Sequence, residues 1–388
     1  MRLTRLFAAT LLTIGLATPA FAEVGVFPTE VIIGQCAALS GPAKGLGTGM
    51  NLGMQAYIRK INAAGGINGR QLTLRTADDG YEPDRCVEGT LQLIDEDKVF
   101  ALVGGVGTPT NKVAIPILTE KKVPLVGLFT GAMLFRQDET GKPYRYVINV
   151  RASYDDETEA LVERLTKDKG LTRIGVFYQN DSFGLAGLSG TEKALKKRGL
   201  QLAGKGTFER NTTAIKKGLI DVAAGHPEAV IMVGPYKPIA AFAKEARTQK
   251  LNAQLCTISF VGTENFIQEA GAEGTGVVIS QVVPSPSDAS LPLVKEYLDA
   301  LKAEDPKAPP SYTSFEGYVS AMVFGKALTA CGPTPTREQL VDAIEHIQSL
   351  DIGGMTLNYG PADHQGSDQV FITVVRAGKA EAVEHLTR

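Results

Sequence analysis

Residues 31–76 read VIIGQCAALSGPAKGLGTGMNLGMQAYIRKINAAGGINGRQLTLRT, and their hydrophobic period changes twice. Residues 31–37 form a short apolar run of strand length. Between residues 45 and 62 the side chains of Leu52, Ala56, Tyr57 and Ile61 recur at helical spacing. Gly65 and Gly66 end that helix, because glycine takes a left-handed cap without steric cost. Residues 72–76 return to strand character. Strand, helix and strand in one such stretch predict a βαβ unit, with parallel strands and a right-handed crossover.

The same alternation continues outward. A helix at 85–95, a strand at 100–103, a helix at 111–120 and a strand at 124–128 lead to an extended segment at 146–150. There the series restarts. Helices 157–167, 185–197, 213–223 and 238–248 alternate with strands 173–178, 201–207, 229–233, 254–259 and 276–283. Two consecutive sets of similar size predict an α/β protein of two doubly wound, Rossmann-like lobes. Beyond Pro284 come three helices (293–302, 314–330, 337–347) and two short strands (355–358, 370–375) that need a sheet already made. The chain is therefore expected to cross between lobes near Val150, Val283 and Ile352. Lobe I would hold 23–149 and 284–351, and lobe II 150–283 and 352–388. A three-strand hinge frames a cleft that closes on a ligand.

Forty Lys and Arg face 42 Asp and Glu in 388 residues, so neither nucleic acid nor an anionic membrane surface is an expected partner. At the amino end, Arg2 and Arg5 precede an apolar stretch at 6–17 and the small-residue site Ala20-Phe21-Ala22. That pattern describes a signal peptide of residues 1–22, too short in its apolar part for the ~20 residues of a membrane span. The mature chain from Glu23 is expected to be exported and soluble. An oxidising compartment lets four cysteines pair in three ways. Cys36 ends the first strand and Cys86 opens the helix after the second, at the same sheet edge, so they are the favoured pair. Four small buried hydrophobes are the equal alternative. Cys256 and Cys331 carry no comparable argument.

Tests for catalytic chemistry fail. Gly187-Leu188-Ser189-Gly190-Thr191 has a glycine misplaced for a nucleophile elbow and lies inside a helix. His226, His346, His364 and His385 are scattered, without metal-ligand spacing. Gly45-Leu46-Gly47-Thr48-Gly49 departs from the dinucleotide pattern, although Asp78 and Asp79 end the second strand as that pattern wants. Residues 104–112, GGVGTPTNK, lack the Gly-Lys-[Ser/Thr] ending of a phosphate loop. They do place Thr108 and free backbone N–H groups at a helix start, where a carboxylate would be stabilised. The plainer reading of Thr108 is an N-cap.

These features together resemble the type I periplasmic solute-binding proteins of ABC transporters, in the leucine/isoleucine/valine-binding family. The resemblance rests on Ile33-Gly34 leading to Leu39-Ser40-Gly41-Pro42, on the string from Ile61 to Arg70 containing Asn-x-x-Gly-Gly-Ile-x-Gly, and on Asp78-Asp79-Gly80-Tyr81-Glu82-Pro83. Residues 176–184 and 364–368 agree, so it covers nearly the whole mature chain. It implies a ligand carboxylate held by the Thr108 hydroxyl and by the turn Phe129-Thr130-Gly131. Leu46 would lie over the ligand, and Phe183 and Tyr236 would supply aromatic contacts from lobe II, unless these aromatics simply pack their own lobe. Amino-acid binders of the family carry an acid after the strand 254–259. Here Phe260-Val261-Gly262 stands there, with Glu264 displaced into the next helix. An ammonium without a partner is costly to bury, so either Glu264 or another acid substitutes, or the ligand has no ammonium. Arg151, at the first crossover, either adds an anion contact or braces the hinge with Asp155 or Asp156.

The expected function is capture of a small organic solute, an amino acid or an aromatic or aliphatic acid, by a monomer that delivers it to ABC permease subunits. No cofactor or metal is expected. A sensor presenting its closed form to a receptor, an amide ligand and a secreted enzyme are the alternatives; missing nucleophile and metal motifs argue against the last.

Overall fold

The computed structural model describes residues 23–387, and the expected signal peptide lies outside the described residues. The opening unit is β1 (Glu30–Ala37), α1 (Lys44–Ala63) and β2 (Gln71–Asp78), the strands parallel from Glu30↔Gln71 to Ala37↔Asp78. The glycine stop is present: Gly66 has φ 79°, and its N–H donates to the Ile61 carbonyl at 2.9 Å. With α2 (Pro83–Leu91), β3 (Ala101–Val103), α3 (Thr108–Glu120), β4 (Leu125–Val126) and β5 (Val147–Ile148), it builds a parallel sheet of order β2-β1-β3-β4-β5.

The second sheet begins after α4 (Tyr154–Lys167), which starts three residues before the sequence pattern suggests. Ser153 and Asp156 cap each other's backbone N–H groups, and this reciprocal cap pulls the start forward. Next come β6 (Ile174–Gln179), α5 (Ser182–Lys196), β7 (Gly204–Phe208), α6 (Lys216–Ala223), β8 (Ala229–Val233), α7 (Tyr236–Thr248), β9 (Gln254–Thr257), α8 (Thr263–Ala270) and β10 (Val278–Gln281). The chain then returns to the first lobe with α9 (Pro292–Glu304), α10 (Tyr312–Ala330) and α11 (Arg337–Glu345). α10 is buried on nearly every face. A Cβ on Gly53 would collide with the Ser314 carbonyl, and one on Gly317 with that of Met50, so both glycines let α1 and α10 touch backbone to backbone.

After a small hairpin of β11 (Leu350–Asp351) and β12 (Thr356–Leu357), β13 (Phe371–Arg376) adds antiparallel to β10 and β14 (Lys379–Ala382) antiparallel to β13. The second sheet has the order β14-β13-β10-β9-β8-β6-β7. The molecule is thus a two-lobed α/β protein. Met355, Leu357 and Tyr359 belong to the core under α9–α11, and Gln365 bridges Asn149. We therefore propose lobe boundaries that keep the passages near Val150 and Val283 and move the third from Ile352 to just beyond Gln365.

Candidate functional site

Segments at the carboxyl ends of the parallel strands of both sheets meet one another. On the first lobe, two turns are laced together: the Phe129 N–H donates to the Gly105 carbonyl at 2.8 Å, and the Gly107 N–H to that of Phe129 at 3.2 Å. The N-cap of α3 is Gly107, at φ 102°, so Thr108 is the first helical residue and its hydroxyl caps nothing. That hydroxyl meets Thr130 Oγ1 at 2.7 Å instead. Gly131 completes the turn. Its carbonyl accepts from the Tyr154 N–H at 2.7 Å, and a Cβ there would strike the Tyr154 ring. The Tyr154 hydroxyl faces Thr130 but has no well-formed hydrogen bond among the described residues, and burial pushes its pKa up to about 12. It therefore stays a protonated donor beside Thr130, whose hydroxyl in turn meets that of Thr108.

Aromatic rings close the other side. Phe260 lies in the short turn Ser259–Val261, its ring 4.4 Å from Phe183, 5.2 Å from Phe129 and 6.1 Å from Tyr81, centroid to centroid. Tyr154 stacks obliquely on Phe183 at 5.4 Å. Gly262, left-handed at φ 74°, ends the turn in contact with Leu46 of the first lobe. Tyr236 reaches across as well, its hydroxyl accepting from the Gly45 N–H at 3.2 Å. Leu46, Thr108, Phe129, Thr130, Gly131, Arg151, Phe183, Tyr236 and Phe260 thus all lie at the meeting of the lobes.

Arg151 braces the hinge with neither Asp155 nor Asp156. Asp155 pairs with Lys193 at 2.7 Å, and Asp156 serves the Ser153 cap. The buried guanidinium binds Glu157 at 2.6 Å and Glu316 at 3.3 Å, and also donates to Ser259 Oγ. Glu157 further accepts from the Ser259 N–H at 2.8 Å and from Ser280 Oγ at 2.6 Å. Burial raises Glu316 to about 7. With its charge met by two carboxylates, Arg151 is no free anion receptor; it fixes the turn that carries Phe260. Glu264 does not face the aromatic cluster either. Its carboxylate accepts from the Tyr312 N–H at 3.2 Å, at the amino end of α10.

Sequence reasoning missed several residues that join the lobes. Gln179 donates to the Tyr81 hydroxyl at 3.2 Å, and Arg210 and Asn211 hold Glu82 at 2.8 and 2.7 Å. Buried Arg136 clamps the crossovers through Asn149 Oδ1, the Arg151 carbonyl and Gln365 Oε1. Tyr81, Glu82 and Gln179 lie in segments that carry the family resemblance, and Tyr154 had a signal in the Ser153…Asp156 cap beside it.

Residues 30–380 match a family model described as periplasmic binding protein. A solved structure of a possible leucine/isoleucine/valine-binding protein from Rhodopirellula baltica SH 1 is 38% identical with a TM-score of 0.87, over 95% of this chain and 98% of that one. A substrate-binding periplasmic protein from Ralstonia solanacearum is 28% identical with a TM-score of 0.84, over 91% and 99%. Among sequence relatives, the Leu/Ile/Val-binding protein BraC3 of Rhizobium johnstonii is 25% identical over 92% of this chain and 94% of its own.

Proposed function

Because the chain belongs to the periplasmic binding proteins, of the leucine/isoleucine/valine-binding type, we propose that it captures a small carboxylate with an apolar or aromatic body for an ABC permease. Its relatives are binding proteins rather than enzymes, and binding alone is its task. On this reading the protein is exported to the periplasm, works as a monomer and makes or breaks no bond in its ligand.

The observation that carries the ligand class is the division of the cleft. Thr108, Thr130 and Tyr154 bring three hydroxyls together, suited to a carboxylate head. Phe129, Phe183 and Phe260 form the apolar half. The carboxylates nearby are engaged elsewhere: Glu157 by Arg151 and two serines, Asp181 by Arg210 and the Phe183 N–H, Glu264 by α10. An ammonium would lose its water without gaining a counter-charge, which disfavours the amino acids named for the relatives. In the closed form the Phe260 and Phe129 rings touch, so the lobes part to admit a ligand and close with its body between them. The ligand shifts that equilibrium by as much as it prefers the closed form.

A thermal-shift screen of branched-chain amino acids against their 2-oxo and deamino counterparts, aromatic acids, amides and dicarboxylates tests this. An apolar or aromatic acid without an ammonium is expected to raise the melting temperature most. A larger shift with leucine, isoleucine or valine would overturn the ligand class.

A further inference from the structure

We infer that in the exported protein Cys36 and Cys86 form a disulfide, stapling β1 to α2 beneath the loop 78–82 that touches the second lobe. The inference rests on the proposed export for its oxidising surroundings. As free thiols the two are already neighbours: their sulfurs and an Asp79 carboxylate oxygen all lie within 4.8 Å of one another, and all three residues are buried. Cys36 Sγ stands 3.7 Å from Asp79 Oδ2 and 3.8 Å from the Cys86 carbonyl. Gly89, one turn along α2, supplies the room. A Cβ there would come within 2.8 Å of the Ala77 Cβ and 3.1 Å of Cys36 Sγ, so a larger residue would push the helix off the sheet and part the sulfurs.

No rival thiol competes. Cys256 lies in the core of the second lobe, and Cys331 packs at the carboxyl end of α10 against the first-lobe core. The chemistry is thiol–disulfide exchange. One thiolate attacks a disulfide-bearing oxidant, and the second displaces it, so two thiols lose two protons and two electrons while the oxidant's disulfide becomes two thiols. The hydrogen bond with Cys86 and burial push the Cys36 thiol up. Both sulfurs are buried, so an external thiol reaches them only while the chain is folding; the bond forms then and is shielded from reduction afterwards.

The position gives it a role beyond stability. Asp79 Oδ1 accepts from the Tyr81 N–H at 2.7 Å, and Tyr81 and Glu82 are the residues that Gln179, Arg210 and Asn211 grip across the cleft. A staple at Cys36–Cys86 holds that loop ready for closure.

The test uses the full chain expressed with its leader and recovered from the periplasmic fraction. The protein is denatured with a chelator, alkylated and weighed intact, with and without prior reduction. Two of four thiols should react before reduction and four after it, with a peptide map linking Cys36 to Cys86. The Cys256→Ser/Cys331→Ser double variant should keep the bond. Cys36→Ser/Cys86→Ser should react at both remaining thiols without reduction and melt roughly 3–7 °C lower. Four thiols reacting at once would overturn the inference, as would a link to Cys256 or Cys331. So would one equivalent of a thiophilic divalent metal released by the chelator, which would make the cluster a metal site. Protein retained in the cytoplasm with its leader intact would instead refute export. In that case refolding from the reduced, denatured state in a glutathione buffer tests the pair on its own, with the same thiol count deciding it.

Discussion

The two walls of the cleft are built on different principles. The first-lobe wall is a pair of backbone turns after β3 and β4, laced by main-chain bonds and presenting Thr108 and Thr130. The second-lobe wall is an aromatic wedge, Phe260 on a three-residue turn, held by a buried Arg151–Glu157–Ser259–Ser280 network. One wall is preorganised by the chain's own geometry, the other by charges that must be satisfied together. Substitutions in the two walls should therefore fail differently. Loss of a network member costs folding, whereas loss of a threonine hydroxyl costs ligand affinity alone.

The largest effect is expected for Glu157→Ala. It leaves three buried donors without their acceptor and the Arg151 guanidinium with Glu316 as its one remaining carboxylate, and should destabilise the protein by about 3–5 kcal/mol. Urea unfolding followed by circular dichroism measures this, and a loss below about 1 kcal/mol would dissolve the contrast between the walls. Phe260→Ala removes a fully buried ring shared by the lobes and should weaken the closed form by about 3 kcal/mol. Small-angle scattering should then show a larger radius of gyration without ligand; an unchanged radius means the rings do not hold the lobes. Thr108→Ala should leave the fold intact and weaken the best carboxylate ligand by about 1–3 kcal/mol, with Thr108→Ser restoring most of the loss. Equal affinities by calorimetry would remove Thr108 from the site.

The same contrast explains what could be read before any coordinates. Alternating periods announced the two lobes, and the glycine stop at Gly65-Gly66 and the helix start at Thr108 are local events written in a few adjacent residues. The first-lobe wall was legible for that reason. The network was not, because Arg151 meets Glu316 across 165 residues and Glu157 meets Ser280 across 123, and no local pattern marks such pairs. The cap that starts α4 at Tyr154 was overlooked because Ser153…Asp156 precedes the apolar period. The proposed third passage lies beyond Ile352 because β11 and β12 pair with each other and stay on the first-lobe core.

Glu264 gives the smallest effect and the finest test of how the walls meet. In the closed form its carboxylate lies at the amino end of α10 with no cation beside it among the described residues, near the Tyr297 and Tyr312 phenols, and burial raises its pKa to about 7. In the open form, released to water, it should titrate near the usual carboxylate value of about 4.5. A pKa raised on closure means that the closed form holds the proton more tightly. Closing thus takes up a proton between those two pH values, is most favoured below the lower one, and loses that advantage as pH rises through about 7. Because Glu264 keeps partial contact with solvent, the expected span is only about 1 kcal/mol. Scattering of the ligand-free protein should show more of the closed form at pH 5.5 than at pH 8, and Glu264→Gln should flatten most of that slope. Any slope left in the variant reports the other raised carboxyls, Glu316 at about 7 beside Arg151 and buried Asp79 at about 6. A profile unchanged by Glu264→Gln would remove Glu264 from the pH response and leave it to Glu316 and Asp79.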